Sequence, residues 1–342
     1  MKKWTGIAAC LICLPFAPAA FGACKIGKIA ELPVTVRENR PLLQGEINGQ
    51  PIEILVDTGA SASFMWEGAA TRLGLKIGGV RGLRIFGVGG EATVHETVIN
   101  LQIGVFTAKN LQIAVIRPKT GARADDGPAL VLGEDFFSGF AAEFDLAHGV
   151  LRLLKPEGCP LDQLPYWADS YSMAELEQAN PSNPQILIRV MLNGKPVDAI
   201  LDTGAGTSVV ARPIAANAGV TPWLDGKQTA FKTSGVSGTL IDSWAGMFAT
   251  FAIGDESVRN VKLEISDLFN NNRVTVTGTH ISQIAGGLPN MLIGCDFFLA
   301  HRILVLFNAR KVLFTYNGGP IFQVVQSVES QKGAPAESAP AH

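Results

Sequence analysis

The chain has 342 residues, which is long enough for two domains that each bury a hydrophobic core. Hydrophobic residues make up 47% of the chain and charged residues 17%, and this composition excludes a disordered protein. The formal net charge of −2 excludes the strongly basic surface that is typical of nucleic-acid binding, so we expect no nucleic-acid partner.

The first 23 residues have the features of an export signal. Lys2 and Lys3 form a basic start, residues 7–16 are mostly apolar, and the small residues Ala20 and Gly22 precede a cleavage position. The apolar run is too short to cross a bilayer, and no later segment holds the roughly 18 consecutive apolar residues of a transmembrane helix. We therefore expect a signal peptide over residues 1–23 and a mature protein without a membrane span, exported to the periplasm or the extracellular space.

Three cysteines remain after removal of the signal. Cys24 comes first, and it is either the attachment point of a lipid or the partner of Cys159 in a disulfide, which an oxidising compartment allows. Cys295 lies in an apolar run and is expected to be a buried free thiol. Residues 25–39 are interpreted either as an N-terminal strand or as a segment that blocks the site.

The mature chain contains one pattern twice. Residues 41–65 and residues 186–210 each hold an apolar strand, an Asn-Gly turn, a second apolar strand and then Asp-Thr-Gly-Ala. Asn-Gly between alternating apolar runs is a strong hairpin signal. The two segments therefore predict the same hairpin followed by the same loop.

The match continues downstream in the same order. Each copy then has a short helical stretch ended by Gly, a Gly-rich turn, and an apolar-apolar-Gly strand followed by Asp-Phe-Phe in positions 135–137 and 296–298. Several landmarks in one order indicate a duplication. We predict a mainly β protein with a first lobe over residues 24–155, a linker over 156–185 and a second lobe over 186–316.

The remaining segments carry weaker signals. Within the linker, residues 171–179 are predicted to add one or two helical turns. Residues 317–342 lose the strand pattern and become rich in Ala, Pro, Ser and Glu, which predicts a disordered C-terminal tail. Asp135 and Asp296 recur in both copies, and we assign them a structural role in capping or bracing a short helix.

Asp57 and Asp202 open the two Asp-Thr-Gly loops. Two carboxyl groups a few ångströms apart cannot both ionise cheaply, so they share one proton and supply one general base and one general acid. This pair can activate water against an amide. Glycine gives each loop conformational freedom, and threonine hydroxyls can brace one loop against the other. The predicted supporting residues are Thr58, Gly59, Thr203 and Gly204.

These elements resemble the retropepsin-like aspartic peptidases, and the resemblance spans about residues 41–316. It implies two retropepsin- or pepsin-like β-barrel lobes related by a pseudo-twofold axis, with Asp57 and Asp202 as the water-activating pair in the cleft between them. It further implies an aspartic endopeptidase that cleaves an extended peptide or protein substrate, works as a monomer with pseudo-dimeric lobes, and needs no cofactor.

The resemblance also identifies the two Gly-rich turns as flap tips over the substrate. They comprise Gly87, Val88, Gly89 and Gly90 in the first lobe, and Gly235, Val236, Ser237 and Gly238 in the second. The second turn departs further from the family pattern than the first. Ala60 and Ala205 stand where pepsins commonly have a serine that donates to an aspartate. Without that donor the dyad pKa values should be higher, which predicts optimal activity at weakly acidic to neutral pH.

Two other hypotheses remain open at this point. The chain could hold the same cleft but have lost catalysis, as a periplasmic peptide-binding or scaffold protein. Alternatively, Asp57 could pair with Asp57 of a second molecule. A metal site is not expected, because the histidines are scattered and no His-Glu-x-x-His pattern occurs.

Overall fold

The structure is a computed structural model that describes residues 23–88, 90–117, 127–177, 185–221, 231–234, 240–268, 273–275, 282–284 and 290–322. The predicted signal peptide up to residue 22 and the predicted tail from residue 323 lie outside these ranges. So do Gly89 and the second flap tip from Gly235 to Gly238.

The described residues are mainly β, as the sequence predicts, and their helices are short. The helices are α1 (Glu67–Arg72), α2 (Glu134–Phe137), α3 (Arg212–Asn217) and α4 (Cys295–Ala300). The strands are β1 (Lys25–Pro33), β2 (Thr35–Arg37), β3 (Arg40–Ile47), β4 (Gln50–Val56), β5 (Phe64–Trp66), β6 (Gly78–Gly87), β7 (Gly90–Ile103), β8 (Phe106–Arg117), β9 (Leu130–Leu132), β10 (Ala141–Asp145), β11 (Val150–Glu157), β12 (Ser172–Glu175), β13 (Leu187–Leu192), β14 (Lys195–Leu201), β15 (Val209–Ala211), β16 (Phe231–Ser234), β17 (Leu240–Ile253), β18 (Glu256–Ser266), β19 (Arg273–Thr275), β20 (Ser282–Ile284), β21 (Met291–Ile293), β22 (His301–Leu306) and β23 (Lys311–Tyr316).

The two halves build their sheets in the same strand order. The described strands run β2-β3-β4-β9-β5-β8-β7-β6 in the first half and β13-β14-β21-β15-β18-β17-β16 in the second. In each sheet, the strand before Asp-Thr-Gly pairs in parallel with the apolar-apolar-Gly strand, as β4 with β9 and β14 with β21. Apart from β2, which only the first sheet contains, the two orders match, and this confirms the prediction of two β lobes.

Both Asn-Gly sites form tight hairpin turns. Asn48 and Gly49 connect β3 to β4 with φ angles of 52° and 79°, and Asn193 and Gly194 connect β13 to β14 with φ angles of 48° and 74°. Two consecutive positive φ angles define the turn that matches the right-handed twist of paired strands, and Asn-Gly adopts it with little strain.

A third sheet joins the two halves. Its described strands run β1-β11-β10-β22-β23-β12, so the first lobe, the linker and the second lobe all contribute. At its centre β10 pairs antiparallel with β22, for example Ala142 with Val305. Of the two readings of residues 25–39, the structure favours the N-terminal strand, because β1 is paired along β11.

The linker differs from the sequence prediction in one respect. The helical turns expected over residues 171–179 are absent from the described part, residues 171–177, where β12 forms an edge strand on β23 instead. Ser172 lies opposite Phe314 and Glu175 opposite Lys311, and the Glu175 carboxylate forms an ion pair with Lys311. Pairing to an existing sheet edge therefore outweighs the local helical preference of this segment.

The hydrophobic core is continuous between the lobes. One cluster of buried side chains contains residues from both halves, and the largest of its fully buried side chains are phenylalanines. Phe144 of β10 contacts Phe298 of α4 edge-to-face, with ring centroids 5.4 Å apart. Burial of one such ring stabilises a fold by about 1.5–3 kcal/mol, so the lobes are packed together rather than loosely tethered.

A disulfide connects the start of β1 to the residues after β11. Its partners are Cys24 and Cys159, whose sulfur atoms are 2.12 Å apart, and Cys295 is a buried free thiol. Across the described ranges, no helix has the length and apolar character needed to traverse a bilayer.

Candidate active site

Asp57 and Asp202 occupy equivalent places at the ends of β4 and β14. The backbone N–H of Asp57 donates to the carbonyl of Leu132 at 3.0 Å, and that of Asp202 donates to the carbonyl of Ile293 at 2.8 Å. Each aspartate therefore leaves its sheet exactly where the parallel partner strand ends. The two Asp-Thr-Gly loops therefore begin at the same point of their respective sheets.

Each carboxylate is held by amides of its own loop. The Oδ1 atom of Asp57 accepts hydrogen bonds from the N–H groups of Gly59 at 3.0 Å and Ala60 at 3.1 Å. Gly204 and Ala205 donate in the same way to Oδ1 of Asp202, at 2.9 and 3.1 Å. Backbone donors favour the charged form of a carboxyl group, and they fix the direction of both side chains.

The two loops bring the carboxyl groups together. A Cβ atom added to Gly59 would lie 2.3 Å from Cγ of Asp202, and one added to Gly204 would lie 2.3 Å from Cγ of Asp57. Contacts this short are impossible for real side chains, so only glycine allows each loop to approach the opposite aspartate. The sequence prediction that Asp57 and Asp202 share one place is therefore matched by the geometry.

Thr58 and Thr203 interlock the loops beneath the carboxyl groups. The hydroxyl of Thr58 donates to the carbonyl of Leu201 at 2.7 Å and accepts from the N–H of Thr203 at 3.0 Å. The hydroxyl of Thr203 donates to the carbonyl of Val56 at 2.7 Å and accepts from the N–H of Thr58 at 3.1 Å. Both threonines are fully buried, so all four hydrogen bonds are shielded from water.

The two aspartates differ in their exposure to solvent. Asp202 is buried, with 9% of its surface exposed, whereas Asp57 is only partly buried. Burial raises the pKa of Asp202 well above its ordinary value, and the neighbouring charge of Asp57 raises it further. The amides of Ala205 and Gly204 act in the opposite direction but do not cancel the effect. The surroundings of Asp202 thus favour the protonated form of its carboxyl group.

Asp135 and Asp296 form hydrogen bonds with the segments that follow the two Asp-Thr-Gly loops. Asp135 accepts from the backbone and the hydroxyl of Ser63, at 2.9 and 2.7 Å, and Asp296 accepts from the backbone and the hydroxyl of Ser208, at 3.0 and 2.6 Å. Each serine hydroxyl also accepts from a backbone N–H that follows the apolar strand of its lobe. These contacts are structural, in agreement with the role assigned from the sequence.

Of the two predicted flap tips, only part of the first is described. Gly87 pairs with Gly90 at the end of the β6–β7 hairpin, so this turn forms a hairpin tip as expected. Val88 packs against a cluster of buried apolar side chains in the second lobe. The buried members of that cluster are Ile200, Val209, Ile241, Leu268 and Leu292. The first turn therefore crosses from one lobe to the other.

Sequence reasoning missed two residues near the Asp57 loop. Gln185, the last residue of the predicted linker, donates to the carbonyl of Gly59. The carboxyl group of Glu134 is completely buried behind the same loop. The repeat offers a signal for both residues. It aligns Gln185 with Arg40 and Glu134 with Cys295, and at these two positions the side chains differ in chemistry although the neighbouring positions match.

The described residues contain no group of three or more His, Cys, Asp or Glu side chains arranged to hold a metal ion. Independently of this, the site presents two adjacent carboxyl groups, one of them buried, with backbone amides that donate to them.

Comparison with known protein families gives a family model that matches two separate regions of the chain. The family model for aspartyl proteases matches residues 43–136 and again residues 188–297. Each range contains one Asp-Thr-Gly loop, and together they cover more than half of the chain. A search of curated proteins finds no match.

Proposed function

This chain belongs to the retropepsin-like aspartyl protease family, and from that premise we propose that it is an aspartic endopeptidase whose two lobes supply one aspartate each. The observation that supports this most directly is the close approach of each glycine to the opposite carboxyl group, Gly59 to Asp202 and Gly204 to Asp57. A binding protein would not need two carboxyl groups forced together at this cost in electrostatic energy.

The difference in burial assigns the two roles. Asp57, the more accessible aspartate, is the general base and takes a proton from water as the water oxygen attacks the peptide carbonyl carbon. Asp202 donates its proton to the carbonyl oxygen, and a tetrahedral diol forms. The proton on Asp57 then passes to the leaving nitrogen as the C–N bond breaks, and Asp202 regains a proton from a diol hydroxyl. Protons balance over the cycle, and no covalent intermediate forms.

We further propose that the protein acts outside the cytoplasm. The Cys24–Cys159 disulfide supports this, because structural disulfides persist in oxidising compartments. The same bond argues for a soluble mature protein rather than a lipid-anchored one, since the sulfur of Cys24 cannot be in a disulfide and in a lipid thioether at once.

Hydrolysis of an unstructured protein by the purified mature chain, followed from pH 3 to pH 8, tests the proposal. We expect Asp57→Asn and Asp202→Asn each to lower kcat/KM by roughly a thousandfold or more, because each removes one half of the acid–base pair. Wild-type activity should peak at weakly acidic to neutral pH, since the raised pKa of Asp202 keeps the shared proton in place there. The matched control is Asp198→Asn, which changes a partly exposed aspartate of β14 that pairs with Arg189.

Three results would contradict parts of this proposal. No hydrolysis by a correctly folded wild type at any pH would favour the silent peptide-binding protein. Loss with only one of the two substitutions would mean that the lobes do not share a site. A profile that keeps rising down to pH 3, the acidic end of this range, would contradict the raised pKa of the dyad.

A further inference from the structure

Glu134 is the first residue of α2, and its carboxyl group is completely buried. Neither carboxyl oxygen has a hydrogen-bond partner among the described residues. The other deeply buried glutamates differ, because Glu143 accepts from Arg152 and Arg302, and Glu264 accepts from Thr207. An unpartnered buried carboxyl group is costly, so its presence needs a reason beyond packing.

The position of Glu134 ties it to the catalytic loop. Its backbone N–H donates to the carbonyl of Ala60 at 2.9 Å, and Ala60 in turn donates to the Asp57 carboxylate. The preceding residue, Gly133, lies so close to this loop that an added Cβ would fall 2.7 Å from the carbonyl oxygen of Ala60. A movement of the Glu134 side chain would therefore shift the loop that aims Asp57.

In the second lobe, Cys295 occupies the position that corresponds to Glu134, and it shows which side chain packing alone requires there. There Cys295 donates its backbone N–H to the carbonyl of Ala205 at 2.7 Å, the counterpart of the Glu134–Ala60 contact. Its side chain is a buried thiol, which behaves as a small apolar group. Since an uncharged side chain fills this position in one copy, the ionisable group in the other copy is not required by the fold.

The surroundings of Glu134 keep it protonated. Burial raises the pKa of its carboxyl group to about 9, and the negative charges of Asp57 and Asp135 add to the shift. Asp57 reaches it from the loop after β4 and Asp135 from α2 itself, and both disfavour a second negative charge. Burial and the two neighbouring aspartates thus favour the neutral form of Glu134.

We propose that Glu134 is a positioning residue of the dyad, a buried acid that holds the Asp57 loop in its active geometry only while it keeps its proton. This inference rests on the proposed function. Ionisation would place an uncompensated charge in the space between α2 and the loop, and the protein can relieve it only by opening that packing to water. The first-lobe loop is therefore pH-sensitive in a way that the second-lobe loop, backed by Cys295, is not.

The direction of the pH effect follows from the raised pKa. Because the folded protein binds this proton more tightly than the unfolded chain, the contribution of Glu134 to stability is fully present below its ordinary pKa of 4.5. That contribution is lost progressively as the pH rises from 4.5 toward about 9. Glu134→Gln removes the ionisation and keeps the shape, so the variant should not lose this contribution.

Hydrogen–deuterium exchange of the two loops tests the proposal without reference to activity. After correction for intrinsic exchange, protection of the Gly59 and Ala60 amides should fall more steeply between pH 5 and pH 8 in the wild type than that of Gly204 and Ala205, which follow only the titration of the dyad. Glu134→Gln should reduce the fall in the first loop to that of the second loop. Glu134→Cys, which copies the second lobe, should do the same and serves as a second variant if the first folds poorly.

Melting temperature and kinetics complete the test. The difference in melting temperature between Glu134→Gln and wild type should grow from pH 4 to pH 8, whereas the exposed-residue control Glu157→Gln should show no such trend. The ratio of kcat/KM of Glu134→Gln to that of wild type should rise from pH 4 to pH 8, because only the wild type has a carboxyl group at this position that can ionise.

The outcomes separate this inference from the proposed function. Equal pH dependence of both loops in wild type, or a melting difference that is constant with pH, would overturn the role of Glu134. A large loss of kcat at pH 4 with unchanged melting would make Glu134 a catalytic residue and would also overturn it. Absence of hydrolysis by the wild type, with the loop asymmetry present, would refute the peptidase alone.

Discussion

Thr58 and Thr203 show how strongly single residues depend on the opposite lobe. Neither hydroxyl bonds within its own lobe, since each donates to a carbonyl of the other half and accepts an N–H from the other half. A lobe alone would leave these buried groups without partners, which is costly for both donor and acceptor. The dyad geometry is therefore a property of two loops that complete each other.

Removal of one hydroxyl should loosen both loops. We expect Thr58→Ala to lower the free energy of unfolding by roughly 2–4 kcal/mol, because two buried hydrogen bonds are lost and the Leu201 carbonyl and Thr203 N–H remain unsatisfied. Urea unfolding measures this change. The matched control, Thr58→Ser, keeps the hydroxyl and should lose far less. Equal losses in both variants would mean that the methyl group, rather than the hydrogen bonds, provides the stabilisation.

At the scale of single residues, the sequence predicts those functional side chains that belong to a short, recognisable motif. Asp57 and Asp202 stand in a repeated tripeptide, and the neighbouring glycine and threonine roles follow from known loop chemistry. Glu134 could not be predicted in this way, because its burial depends on how α2 packs against a loop that is distant in sequence. A Glu at the start of a helix is ordinarily exposed, and only the three-dimensional contact makes it unusual.

Among the secondary-structure elements, those determined by adjacent residues are also the ones that the sequence predicts best. Asn48–Gly49 and Asn193–Gly194 define their turns through backbone preference alone, so the hairpins were predictable. The segment that contains β12 was not, because its Ala, Glu and Leu residues favour a helix while its partner strand β23 lies far along the chain. Here the deciding interaction is a pairing that no local window contains.

The disulfide links elements that are otherwise held by strand pairing. It closes a loop across 135 residues of sequence, from the start of β1 to the end of β11. By the chain-entropy argument, a cross-link over a loop of this length stabilises the folded state by up to about 5 kcal/mol. The physical origin of this effect is the conformational entropy that the cross-link removes from the unfolded chain.

We therefore expect Cys24→Ser to lower the free energy of unfolding by roughly 2–5 kcal/mol under oxidising conditions. Cys159→Ser should give the same loss, and the double variant should lose no more than either single one. Chemical unfolding with and without reductant measures these values. Wild type that responds to reductant as weakly as the double variant would show that the bond does not form in solution.

At the scale of the whole molecule, the sheet between the lobes carries a buried ionic cluster. Glu143 of β10 is completely buried and accepts from Arg152 of β11 at 2.6 Å, from Arg302 of β22 at 2.7 Å and from the hydroxyl of Tyr166 in the linker at 2.6 Å. One carboxylate thus binds side chains from both lobes and the connection. Such a fully paired cluster specifies a single arrangement of the lobes, which the dyad requires.

This arrangement makes one complete site within one chain. The carbonyls of Leu201 and Val56 that receive the threonine hydroxyls belong to the same chain, as do β10 and β22 at the centre of the shared sheet. The single-chain geometry was foreseeable from the repeat, but the shared sheet was not, because β10 and β22 pair across a long sequence separation that no local pattern spans.

A mixture of inactive variants tests whether the site is intramolecular. Asp57→Asn and Asp202→Asn, each inactive alone, should remain inactive after they are mixed, unfolded together and refolded, because no chain then holds both aspartates. If instead Asp57 of one chain paired with Asp202 of another, mixed dimers would restore about a quarter of the wild-type sites. Wild-type specific activity should likewise be independent of protein concentration. Recovered activity in the mixture, or activity that rises with concentration, would place the dyad between chains and would show that the internal duplication alone does not form the enzyme.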